Sequence, residues 1–145
     1  MLTPLPLQTN AYGILQTGRY HDATLDRLEF RDGTLKLGWT NEDGARYQLA
    51  FGAIHHQCLN DFVGEQILSE IYIWPLADAS KAGAIPAAAW GSLLSWAMHP
   101  AKIPAQATRI TIEHPKASLV LCEFAYGGDI AVVCETIALA QEGAA

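Results

Sequence analysis

The stretch that decides the fold is Leu28-Glu29-Phe30-Arg31-Asp32-Gly33-Thr34-Leu35-Lys36-Leu37-Gly38-Trp39-Thr40, followed directly by Asn41-Glu42-Asp43-Gly44-Ala45-Arg46-Tyr47-Gln48-Leu49-Ala50-Phe51. Asp32-Gly33 suits a two-residue type I′ turn, whose twist matches that of the strands it joins. Pairing Arg31 with Thr34 then sets Phe30 opposite Leu35, Leu28 opposite Leu37 and Asp26 opposite Trp39, with Arg27, Glu29 and Lys36 on the other face. The next connection suits a three-residue loop with Gly44 in the left-handed region, which glycine enters without a Cβ penalty. That loop sets Trp39 against Tyr47, Leu37 against Leu49 and Leu35 against Phe51. Two turns chosen independently thus place the same apolar residues on one face, the agreement between levels expected of a real meander. Leu28, Phe30, Leu35, Leu37, Leu49 and Phe51 are expected to be buried together.

Beyond Phe51 the chain shows little periodicity until Ile67–Trp74, which alternates, stops at Pro75 and reads as a fourth strand. From Pro86 the main helix is expected, with Trp90, Leu93, Leu94 and Ala97 on one stripe and an end before Pro100. Arg109–Glu113 alternates and reads as a strand. Ser118–Tyr126 and Asp129–Ala138 flank Gly127-Gly128 as a hairpin, and their nearly continuous apolar runs imply cover on both faces. A two-residue loop there sets Cys122 opposite Val133 and Leu121 opposite Cys134, so the two sulfurs face opposite ways and cannot form a disulfide. A loop of odd length would bring the pair together. Met1–Asn10 reads as a short arm without the charged start of a signal peptide.

With 145 residues, half of them hydrophobic, the chain has length for one domain, 1–145, of the α+β class: mainly antiparallel sheet, from a meander plus a C-terminal hairpin, with one main helix. The net charge of −6 argues against nucleic acid and anionic lipid, which attract cations, and favours a basic partner. Residues 82–101 carry no Asp, Glu, Lys or Arg, but Gly83, Pro86, Gly91, Ser92, Ser95, His99 and Pro100 interrupt them, against a membrane span. Three irregularly spaced cysteines fit a reducing compartment, so the cytoplasm is expected.

Patterns that would carry catalysis are thin. His21-Asp22 has the residue types of a metal-dependent phosphohydrolase dipeptide but opens a meander rather than sitting among helical ligands, so the expected role is structural: Asp22 accepts backbone N–H bonds at the strand entrance and His21 packs or pairs with it. His55, His56 and Asp61 are the best candidates for a small metal-dependent hydrolase, yet adjacent histidines on a strand point to opposite faces and would need a distorted backbone to share an ion. No nucleophile elbow, phosphate cradle or cofactor signature is present, so no residue is assigned as catalytic or as a metal ligand and no cofactor is implied. Charge distribution is more informative. Residues 47–80 contain no Lys or Arg, while Asp61, Glu65, Glu70 and Asp78 fall within them and Glu42 and Asp43 just before. A solvated acidic face is one reading; a surface for docking a basic protein, with Asp61, Glu65, Glu70 and Asp78 as its residues, is the functional one.

Tyr20-His21-Asp22-Ala23, the Asp43-Gly44 turn and Tyr47-Gln48-Leu49-Ala50-Phe51-Gly52-Ala53-Ile54 resemble a group of small bacterial proteins of mostly unassigned function. In that group a His-Asp-Ala or His-Asp-Ser opening precedes a meander ending in a Phe-Gly-Val-like step, and some members are similar to immunity proteins of polymorphic toxin systems. The likeness covers about residues 20–75, and Ala53 departs from the bulkier residue usual there. It implies a cytoplasmic inhibitor that neutralises a toxin by binding it, and carries over no catalytic residue. A structural subunit that oligomerises through the Trp90–Met98 helix is the remaining alternative.

Overall fold

The computed structural model describes residues 1–62, 65–78 and 85–143. Seven strands, β1 (Leu2–Leu5), β2 (Thr24–Arg31), β3 (Thr34–Thr40), β4 (Arg46–Asn60), β5 (Leu68–Pro75), β6 (Ser118–Phe124) and β7 (Asp129–Glu142), form one antiparallel sheet in the order β2-β3-β4-β7-β6-β5, with β1 paired to β7. Among the described residues, two helices, α1 (Ala87–Leu94) and α2 (Ile103–Glu113), lie between β5 and β6, and a 3-10 turn at Pro100–Lys102 leads into α2. The α+β, sheet-dominated class is therefore as expected.

The meander forms in the expected register. Asp32 and Gly33 take φ of 52° and 76°, both positive as a type I′ turn requires. Gly44 is left-handed at 81°, and Asn41 and Ala45 pair across the loop through Asn41 N–H to the Ala45 carbonyl at 2.9 Å. Phe30 pairs with Leu35, Leu28 with Leu37, Leu37 with Leu49, Leu35 with Phe51 and Trp39 with Tyr47. Asp26 is the exception: it is the extra residue of a bulge, so Leu25 stands opposite Trp39. Leu35, Leu37, Leu49 and Phe51 are buried, whereas Leu28 and Phe30 are 40% and 57% exposed. The reason is position in the sheet, because β2 is its last strand and has a neighbour on one side over most of its length.

The end strands are nevertheless joined at one point. Leu68 N–H donates to the Ala23 carbonyl and Leu25 N–H to the Gln66 carbonyl, both at 2.9 Å, so the sheet curls until the start of β2 meets the start of β5. Inside the curl lies one core, from Trp39, Tyr47, Leu49 and Phe51 across to Ile71, Val120, Cys122, Ile130, Val132 and Cys134. A second core lies outside it, where Trp90, Leu93, Leu94, Ile103 and Ile110 of the helices cover Leu119, Leu121, Ala131 and Val133. The C-terminal hairpin is thus covered on both faces, as its unbroken apolar runs require.

Several expectations are corrected. Arg109–Glu113 is helix, not strand. Ile103, Ala107 and Ile110 make the buried stripe of α2 at helical spacing, Ile112 is 73% exposed, and Arg109 reaches Glu113 one turn on at 2.9 Å. The longest helical segment is accordingly Pro100–Glu113, while the helix expected after Pro86 is only the eight residues of α1. The terminal arm contains a strand, β1. The β6–β7 loop has three residues, Ala125-Tyr126-Gly127, because Phe124 N–H pairs with the Gly128 carbonyl; Cys122 faces Ile130 and Cys134 faces Ser118. Both sulfurs therefore lie in the inner core, but the register sets the two residues four positions out of step across the β6–β7 pair. Both remain free, as does Cys58. No helix among the described residues is long and apolar enough to cross a membrane; residues 82–84 of the uncharged run lie outside the described residues, as does Lys81.

Candidate functional site

The closure of the sheet builds an open cleft of about 680 Å³ between the 10–22 segment, the Asn41–Asp43 loop and Glu70 of β5. Arg19 and Asp22 take φ of 43° and 63°, and these left-handed residues bend the chain so that His21 and Asp22 stand at the rim. The bend is held by Asp22 N–H, which donates to the Leu68 carbonyl at 2.8 Å, and by Ala23 N–H, which donates to Tyr20 at 2.8 Å. The Tyr20 ring is buried against Trp39, edge to face at 6.4 Å, and its hydroxyl donates to the Leu15 carbonyl at 2.7 Å with Glu70 Oε2 3.3 Å away. Burial, reinforced by the Glu70 charge, holds this phenol well above its usual pKa, so it stays protonated and serves as a fixed strut.

Charge is the distinctive property of the cleft. Its lining carries four carboxylates, Asp22, Glu42, Asp43 and Glu70, against one guanidinium, Arg19, and one imidazole, His21. Arg19 is bound to Asp43. His21 Nδ1–H donates to the Ser69 carbonyl at 2.6 Å, and its other nitrogen lies 3.7 Å from Asp22. The Ser69 carbonyl, then Asp22 and Glu70, raise the imidazole above its ordinary value. Glu42 and Glu70 complete the acidic lining, Glu70 with Oε1 3.9 Å from His21 Nδ1. Asn41 accepts from Asp43 N–H and Ala45 N–H at 3.0 Å through Oδ1, while its buried Nδ2 donates to no group among the described residues. The cleft thus offers a cluster of carboxylates to a cation, as a basic peptide segment requires.

Of the residues expected to form an acidic face, Glu70 lines this cleft. Asp61 ends β4 with φ of 54°, Glu65 is exposed on the connection to β5, and Asp78 lies past the opposite end of β5, where it has a partner. The structure therefore joins Glu70 to Asp22, Glu42 and Asp43 rather than to Asp78. Glu42 and Asp43 adjoin the cation-free stretch in sequence, whereas Asp22 cannot be grouped with Glu70 by spacing, because the turn at 20–23 meets β5 only through the closure.

His55 and His56 do not point apart. Ala53 takes φ of 49° and His55 is the extra residue of a bulge between Ile54 and His56, the distorted backbone that would be needed for them to share a side. Asp61 lies well beyond them along the strand, and among the described residues no group of three or more His, Cys, Asp and Glu side chains could hold a metal ion. On the α1 side, Trp90 and Leu93 are buried and Trp96 is 72% exposed. Asn60 Nδ2 and Ser92 Oγ both donate to Asp129, at 2.7 and 2.8 Å, and tie α1 to the sheet.

Compared with family models, curated proteins and solved structures, the chain matches none.

Proposed function

We propose that this chain is a binding protein whose cleft receives a basic segment of a protein partner, and that it acts in the cytoplasm by neutralising a bacterial toxin through direct binding. The observation that carries the binding reading is the convergence of Asp22, Glu42, Asp43 and Glu70 on one opening that has only Arg19 and His21 in return. Complementary charge raises association rates and discriminates against acidic partners. Toxin neutralisation is the form that the likeness of about residues 20–75 implies, and the acidic balance of the whole chain agrees with a basic partner. The three free thiols agree with a reducing compartment.

The test is co-expression with the product of a toxin gene encoded beside this one. The natural chain should protect cells, and Glu42→Lys/Glu70→Lys should lose protection while folding normally. Association of the purified pair should slow in the variant, with the difference shrinking as salt is added. Full protection and unchanged rates in the double reversal would remove the cleft from the interface.

A further inference from the structure

Three imidazoles meet on the outer face of the sheet, none of them lining the cleft. The bulge turns His55 and His56 of β4 toward the end of α2, where His114 follows the last helical residue. His114 stacks on His55 with ring centroids 3.9 Å apart and 17° between planes, and it meets His56 edge-on at 5.9 Å. The charged groups around them come from each packed element. From β7, Glu135 Oε2 lies 2.8 Å from His55 Nε2; from α2, Glu113 stands beside His114 but is engaged by Arg109; Lys116 is exposed on the turn that follows.

One proton suits this arrangement. His55 Nε2–H donates to Glu135 at 2.8 Å, and a charged ring stacked on a neutral one is attracted to it. A second proton suits it less, because two like charges would then stand at ring contact with Glu135 already used, and Glu113, which favours charge on His56 and His114, is shared with Arg109. Burial and the neighbouring rings already hold His56 below its ordinary pKa. His114 is also a backbone fastener: its N–H donates to Ile110 at 2.9 Å and its carbonyl accepts from Ala117 N–H at 3.0 Å, so displacing its ring pulls on both the end of α2 and the turn into β6.

We propose that the His55–His56–His114 stack is an acid-sensitive latch, which holds the end of α2 against the β4 bulge while the cluster carries at most one proton and releases it when a second binds. Because the closed form disfavours the second proton, release grows as pH falls below about 6.5, the ordinary imidazole value, and is absent at neutral pH.

The test is native-state hydrogen exchange on the full chain at about pH 7.5 and about pH 5, corrected for intrinsic exchange. Protection of the Ile110–Ala117 amides should fall about tenfold more than that of the β6 and β7 core amides, the scale of one unfavourable charge contact. His114→Phe keeps a stacked ring that cannot titrate, and there the extra fall should be under about twofold. An equal fall in both proteins overturns the proposal. Should His114→Phe fail to fold, the histidine ring titrations of the natural chain decide: one early and at least one delayed step support the latch, and three independent steps near 6.5 overturn it.

Discussion

Truncating Leu37 to Ala tests the architecture at its centre. Leu37 is fully buried, stands opposite Leu28 on one side and Leu49 on the other, and belongs to the core inside the curled sheet. Removing its isopropyl end forfeits about 0.8 kcal/mol per carbon group, or about 2.4 kcal/mol of transfer free energy. The neighbours are held by strand pairing and cannot collapse fully into the space, so a cavity contribution brings the expected loss to about 3 to 4 kcal/mol. Phe30→Ala is the control. Phe30 shares the same face, but its exposure on the last strand limits the loss to about 1 kcal/mol despite its larger side chain. Urea unfolding monitored by tryptophan fluorescence measures both, with an unchanged slope showing that stability alone has changed. A loss below about half a kcal/mol for Leu37→Ala, or equal losses at the two positions, would refute the burial pattern.

Other consequences follow from single positions. A Cβ at Gly128, φ 87°, would come within 2.8 and 2.9 Å of the Asp61 and Asn60 carbonyl oxygens, whereas one at Gly127, φ 91°, meets open space; Gly128→Ala should cost about 3 kcal/mol and Gly127→Ala about 1 to 2, by thermal unfolding. All three cysteines should react with a thiol reagent in denaturant without prior reduction, and in the native state only Cys58 should react. Burial holds Cys122 far above its usual value and pushes Cys134 up to about 12. Recovery of a single thiol in denaturant would contradict the register of β6 and β7. His21 is raised by the Ser69 carbonyl, so its contribution to stability is complete below about pH 6.5 and is lost as pH rises through the folded value. His21→Gln should therefore destabilise more at about pH 6 than at about pH 8, by a small margin because the ring is exposed; the opposite pH trend in urea midpoints would contradict the hydrogen bond.

What could be read from the sequence was local. The β2–β3 and β3–β4 turns each carry a glycine at the position their geometry demands, and the apolar residues between them agree on one face, so the register followed from Asp32-Gly33 and Gly44 alone. The exposure of Leu28 and Phe30 was not legible, because it depends on β2 ending the sheet. The second half of β4 lost its alternation at the Ala53 kink, and its partner β7 lies far along the chain. Arg109–Glu113 alternates like a strand, yet Ile103 and Ala107, outside that window, supply the helical stripe that decides it. At Gly127-Gly128 the glycine pair suggested a two-residue loop, whereas one glycine closes the three-residue loop and the other pairs with Phe124. Of the cleft, Glu70 was legible as an acid in a stretch without cations. Its grouping with Asp22 comes from tertiary closure, and His114 joins His55 and His56 only through the helix that had been read as a strand.

The central claim is that the cleft recognises positive charge on a peptide, and amide chemical-shift mapping with two short synthetic peptides, one rich in Arg and Lys and one rich in Glu, measures it directly. The basic peptide should shift Arg19–Asp22, Asn41–Asp43 and Glu70 and leave the β6–β7 hairpin unmoved, the acidic peptide should shift none of them, and Glu42→Lys/Glu70→Lys should abolish the response. Equal shifts with both peptides, or shifts from the basic peptide confined to Asp61, Glu65 and the Trp96 region, would contradict it.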